Sequence, residues 1–91
     1  SADYWKDFTT RAATVFSSFE IVEENISRLI SGKAALQYVY KMTLDGVRYQ
    51  CMQTVVVYSN MMYVITYTAT EDLYNTHADE VGKMLDHFVF L

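Results

Sequence analysis

The chain has no proline and a single cysteine in 91 residues. Without proline, no X-Pro bond exists to isomerise slowly or to mark a loop. The one thiol, Cys51, excludes an intramolecular disulfide. That suits a reducing compartment, and equally an exported protein that does without disulfides. Glycine is scarce: the three, at positions 32, 46 and 82, are too dispersed to form a phosphate-cradling loop. No G-x-S-x-G nucleophile elbow occurs. No run approaches the ~18 apolar residues of a membrane span. Positive charge is also thin, with seven Lys and Arg against eleven Asp and Glu, a net of −4. Lys6, Arg11, Arg28, Lys33, Lys41, Arg48 and Lys83 are scattered. That disfavours nucleic acid, which is held by neutralising phosphates, and docking on anionic lipid. No signal-peptide pattern is present. A start at Ser1-Ala2 without Met, running almost at once into a helical pattern, is what a matured or trimmed chain shows, so a removed leader or domain stays open.

What the chain does have is apolar and aromatic: 52% hydrophobic residues, with eight Tyr, five Phe and one Trp. Disordered chains lack this content. A chain this long buries roughly two-thirds of its unfolded surface, enough for one modest core. Residues 1–91 therefore read as a single α+β domain, with no linker, repeat or low-complexity tract.

From Ala2 to about Ser17, Trp5, Phe8, Ala12, Val15 and Phe16 recur at helical spacing, with Asp3, Lys6, Asp7, Thr10 and Arg11 mainly opposite. Ser17-Ser18 breaks the pattern. Phe19 to Ile30 fits two periods: Val22, Ile26 and Ile30 lie four apart, whereas Phe19 and Ile21 alternate around Glu20; a strand is expected. Ser31-Gly32 supplies turn chemistry. Ala34 to Leu44 alternates, Ala34, Leu36, Tyr38, Tyr40, Met42 and Leu44 against Ala35, Gln37, Val39, Lys41 and Thr43. Asp45-Gly46 signals a type I′ hairpin, which needs positive φ at both central residues. Val47 to Tyr58 is the return strand, favoured by Val55-Val56-Val57. Ser59-Asn60 is a second turn, and Met61 to Ala69 alternates again. Thr70 is expected to cap a helix whose first turn holds Glu71 and Asp72. Its stripe is Leu73, Tyr74, His77, Ala78, Val81, Met84, Leu85 and Phe88, ending near His87, with Phe88 to Leu91 tucked on the core. The expected fold is an antiparallel meander with one face covered by an N-terminal and a C-terminal helix. Gln37, Lys41, Thr43, Thr66 and Thr68 would lie on its wet face.

From Ser31 onward the chain resembles the PsbP-like proteins and related small bacterial lipoproteins of the α/β/α sandwich type. The likeness lies in Ser31-Gly32-Lys33-Ala34-Ala35 entering a strand, in Asp45-Gly46 and Gln53, and in Tyr63-Val64-Ile65-Thr66-Tyr67-Thr68-Ala69 leading into a helix. It closes at His87-Phe88, where the family usually has Ser-Phe. It covers about the last 60 residues well and the first 30 loosely. Family members usually begin with a β-hairpin, which this chain lacks. The resemblance implies a non-enzymatic accessory or binding domain, often exported and membrane-tethered, hence an extracytoplasmic setting. It brings no catalytic residue and no cofactor.

Read for chemistry, Cys51 sits mid-strand among apolar residues, the setting of a structural thiol rather than a nucleophile. His77 and Glu80, three apart on a helix, could share a metal but are only two ligands. His87 falls in a last turn, where a cation favours the helix dipole. Glu20, Glu23 and Glu24 read as a solvated edge. No catalytic, cofactor or metal site is assigned. Tyr38, Tyr40, Tyr58, Met61, Met62 and Tyr63 are the candidate interaction surface, since Tyr and Met are enriched at interfaces. The expectation is a non-catalytic module that forms a homodimer or binds a protein partner, through strand edges left unpaired. The alternative is a carrier of a small ligand in a Tyr- and Met-lined pocket between sheet and helices.

Overall fold

The computed structural model describes residues 2–90. Helix α1 (Ala2–Val15) leads into strand β1 (Ser17–Ile30), followed by β2 (Lys33–Leu44), β3 (Val47–Tyr58), β4 (Met61–Thr70) and helix α2 (Tyr74–Asp86). The strands form one antiparallel sheet in the order β1-β2-β3-β4. The α+β meander with a helix at each end is thus the architecture of the chain. Each connection between strands is a two-residue turn with both residues at positive φ: Ser31-Gly32, Asp45-Gly46 and Ser59-Asn60. This geometry matches the twist of the strands it joins.

The helices do not share a face. Strand alternation puts Leu36, Tyr38, Tyr40 and Met42 of β2 beside Val55, Gln53, Cys51 and Tyr49 of β3 on the front. There α1 lays Trp5 and Phe8 on a cluster containing Tyr38, Tyr40, Cys51 and Val55. Trp5 stacks on Tyr38 with centroids 4.3 Å apart. On the back, Leu85 and Val81 of α2 pack with Ile30, Ala35, Val56 and Ile65. The reading of one covered and one wet face is therefore corrected. Gln37 is buried on the back, where its Nε2 donates to Thr54 Oγ1 at 3.0 Å, while Thr66 and Thr68 lie on the front opposite Gln53 and Cys51. Amide and hydroxyl satisfy each other, so a polar residue occupies a core position without the penalty of an unmade bond.

Two boundaries also differ from expectation. Thr70 ends β4 instead of capping α2; Leu73 holds the cap position and makes no side-chain cap bond. The ladder continues past Thr70, because Glu71 N–H donates to Arg48 C=O at 3.0 Å. Glu71 then pairs with Lys41 at 2.9 Å and lies 3.9 Å from Arg48. Arg48 also binds Glu20 and the Ser18 carbonyl, so this exposed cluster pins the start of β1 to the β4–α2 turn. After α2 the tail returns to the sheet: Phe88 and Phe90 join the back cluster. Leu91, expected in the same tail, lies outside the described residues.

Candidate functional site

Cys51 is buried on the front beneath α1, and the two histidines are exposed on and just after α2, behind the sheet. The fold therefore separates the thiol from both imidazoles, and no nucleophile–base pair forms among these three. His77 Nδ1 lies 3.8 Å from Glu80 Oε1, both exposed. No group of three metal-ligating side chains occurs among the described residues. His87 Nδ1 approaches the Lys83 carbonyl at 2.8 Å, the same carbonyl that accepts from the His87 backbone N–H at 3.2 Å. Of the three glutamates, Glu20 pairs with Arg48, and Glu24 accepts from Trp5 Nε1 at 2.8 Å.

The front core holds a short polar chain. Tyr4 OH donates to Gln53 Oε1 at 2.8 Å, and Gln53 Nε2 donates to Tyr40 OH at 3.1 Å. Burial pushes the Tyr40 phenol well above its usual value, with Cys51 adding to the shift, and burial likewise raises Tyr4 and Tyr74. These phenols stay neutral, and those of Tyr4 and Tyr40 serve as hydrogen-bonding struts.

The six candidate surface residues separate into two groups. Tyr38 and Tyr40 are buried under α1, at 0% and 4% exposure, and form no surface. Tyr58, Met61, Met62 and Tyr63 gather at the β3–β4 turn. Tyr58 is half-buried and stacks on Phe90 at 4.2 Å; Tyr63 lies 5.2 Å from the same ring. Met61 and Met62 are exposed beside them.

Beyond the start of α1 the front of the sheet is open. Two cross-strand rows, Leu29–Ala34–Val57–Met62 and Ser27–Leu36–Val55–Val64, form an apolar shelf across all four strands. A groove of about 620 Å³ lies on it, lined by Leu29, Ala34, Leu36 and Val57 among others. It contains neither Tyr nor Met and is not enclosed between sheet and helix, unlike the pocket expected of a ligand carrier.

The two sheet edges differ most. β1 carries Glu20, Glu23, Glu24 and Arg28, and its pairing with β2 is interrupted by three register shifts. Ser18 and Asn25 within it have positive φ. Charges and bulges are the devices that blunt an edge against further pairing. β4, Met-Met-Tyr-Val-Ile-Thr-Tyr-Thr-Ala-Thr, has no charged residue, and its register with β3 runs unbroken from Met61 to Thr70. The backbone orientation follows from the turn. A two-residue I′ loop closes on a hydrogen-bonded Tyr58–Met61 pair, so odd-numbered β4 residues aim their N–H and C=O at β3. The Glu71-to-Arg48 bond keeps the same parity. Met62, Val64, Thr66, Thr68 and Thr70 therefore present theirs outward, with the Thr70 carbonyl taken by the Leu73 N–H at 3.0 Å and both backbone groups of the other four aimed away from β3. The sequence reading passed over Val64, Thr66 and Thr68, although the signal was there: a meander's last strand is an edge, and this one is free of charge.

No family model and no curated protein matches this sequence, and the PsbP-like resemblance has no counterpart among the comparisons. Among solved structures, the chain is similar to PA94 from Pseudomonas aeruginosa, described as a protein of unknown function and a suspected regulator. The two share 19% identity with a TM-score of 0.84 over 99% of this chain. The chain spans 62% of that protein's length. At this identity the likeness concerns the fold.

Proposed function

We propose that this chain is a non-catalytic interaction domain that binds protein through the free edge of β4. The observation that carries the reading is the contrast between edges, β1 charged and bulged, β4 regular and uncharged. An unpaired row of backbone donors and acceptors favours another strand, and the side chains flanking it supply selectivity. Met62 and Val64, on the outward-facing positions, continue into the apolar shelf, so an added strand would also meet apolar side chains. A photo-crosslinking amino acid placed at Thr66, exposed on β4, and separately at Ser27, exposed on β1, tests this in cells making the full protein. Protein adducts are expected from position 66 and not from position 27. Equal labelling from both, or none from 66, would overturn the edge assignment.

A further inference from the structure

We infer that the strand bound by β4 is β4 of a second copy, joined about a two-fold axis through Ile65 so that the two four-stranded sheets become continuous. This rests on the reading of β4 as the binding edge. The register follows from the outward residues Met62, Val64, Thr66 and Thr68. In an antiparallel pair, residues that exchange backbone hydrogen bonds must both point their N–H and C=O at the partner. Pairing Met62 with Thr68 and Val64 with Thr66 across the axis engages all four in each copy. A shift of two residues one way leaves Thr68 beyond the end of the partner strand, and the other way sets Met62 against Thr70, whose carbonyl is already taken by the Leu73 N–H at 3.0 Å.

The side chains agree with this register. On the front, Val64 and Met62 meet Thr66 and Thr68 of the second copy, pairs of apolar and β-branched residues suited to neighbouring strands. On the back, Ile65 meets its own mate, and Tyr63 meets Tyr67. No like charges are opposed, because β4 has none. A two-fold interface brings each residue of a patch against the same patch, so a strand with a charge near its centre would repel its copy. The edge of β1, with three glutamates, fails that condition. No bulge in β4 stands in the way, since its ten residues pair with β3 without a shift.

Analytical ultracentrifugation of the full chain at micromolar concentration, with amide hydrogen exchange, tests the assignment. The wild-type protein is expected to sediment at twice its 10.5 kDa mass. Its Met62, Val64, Thr66 and Thr68 amides should exchange slowly. Thr66→Pro removes only an outward N–H, so the β3 ladder survives; the dimer should be lost while the circular dichroism stays native. If that variant does not fold, Val64→Lys decides instead: it keeps every backbone donor and sets two lysines diagonally across the axis. A wild-type mass of 10.5 kDa throughout the micromolar range, or a dimer that persists in both variants, would overturn the proposal. Crosslinks from Thr66 to a different protein, together with a monomeric wild type, would remove the second copy and leave the edge assignment standing.

Discussion

Tyr40 shows how a single side chain joins the packing of this fold to its chemistry. Its ring meets Trp5, Phe8 and Phe19 with centroids 5.2 to 5.9 Å apart, and its hydroxyl receives the Gln53 amide. Burial holds the phenol neutral, and the same cause acts on Tyr4 and Tyr74. The consequence for stability has a definite sign. Below the free tyrosine value of 10.0, folded and unfolded chains both keep these protons, and pH has no leverage through them. Above it, the unfolded chain releases protons that the folded chain retains, so stability falls as pH rises. The melting temperature should thus hold level to about pH 9 and drop steadily beyond about pH 10. Tyr40→Phe should start lower, having lost the Gln53 bond, and fall less steeply. A melting temperature indifferent to pH in the alkaline range would contradict burial of these phenols.

The strands owe their lengths and order to three turns of one kind. Each needs two residues at positive φ, and only the first two place glycine second, at Gly32 and Gly46; the third has Asn60 at φ 63°. Asparagine tolerates this conformation, and glycine adopts it at lower cost. Asn60→Gly should raise stability by a few tenths of a kcal/mol to about 1 kcal/mol. Gly46→Ala should lower it by about 1 kcal/mol or more. A Cβ at Gly46 would meet nothing within 4 Å, so that loss comes from the backbone alone. Chemical denaturation measures both, and equal effects of one sign would refute this account of the turns. These local signals explain why the strands, the turns and both helices were legible in the sequence. What was not legible was which side of the sheet each helix would take. Alternation defines two faces but not which one is dry, and Gln37 reads as wet while its hydrogen bond to Thr54 lets it be buried. The site suffered similarly. Tyr38 and Tyr40 look like surface aromatics until α1 is laid on them, and an edge becomes visible only when strand order is known.

At the scale of the molecule, one sheet separates two cores. Trp5 belongs to the front cluster with Tyr38, Tyr40, Cys51 and Val55; Leu85 belongs to the back cluster with Ile30, Ala35 and Val56. The clusters have no member in common, although both are built on the same central strands β2 and β3. This arrangement predicts how mutations combine. Trp5→Ala should cost about 3–5 kcal/mol and Leu85→Ala about 2–5 kcal/mol, each from lost burial and the cavity left behind. Because the two side chains share no partner, the double variant should lose the sum of the two, to within about 0.5 kcal/mol. Two helices packed side by side on one face would share neighbours, and their truncations would couple. A milder pair, Trp5→Phe with Leu85→Val, keeps the cycle measurable if the double truncation unfolds the chain. Denaturation of wild type, both single variants and the double variant closes the cycle. A coupling well above that limit would mean that the sheet does not insulate its two faces. An open β4 edge on such a two-sided layer then belongs to both cores at once: a strand added there extends the front shelf through Met62 and Val64 and the back face through Tyr63 and Ile65.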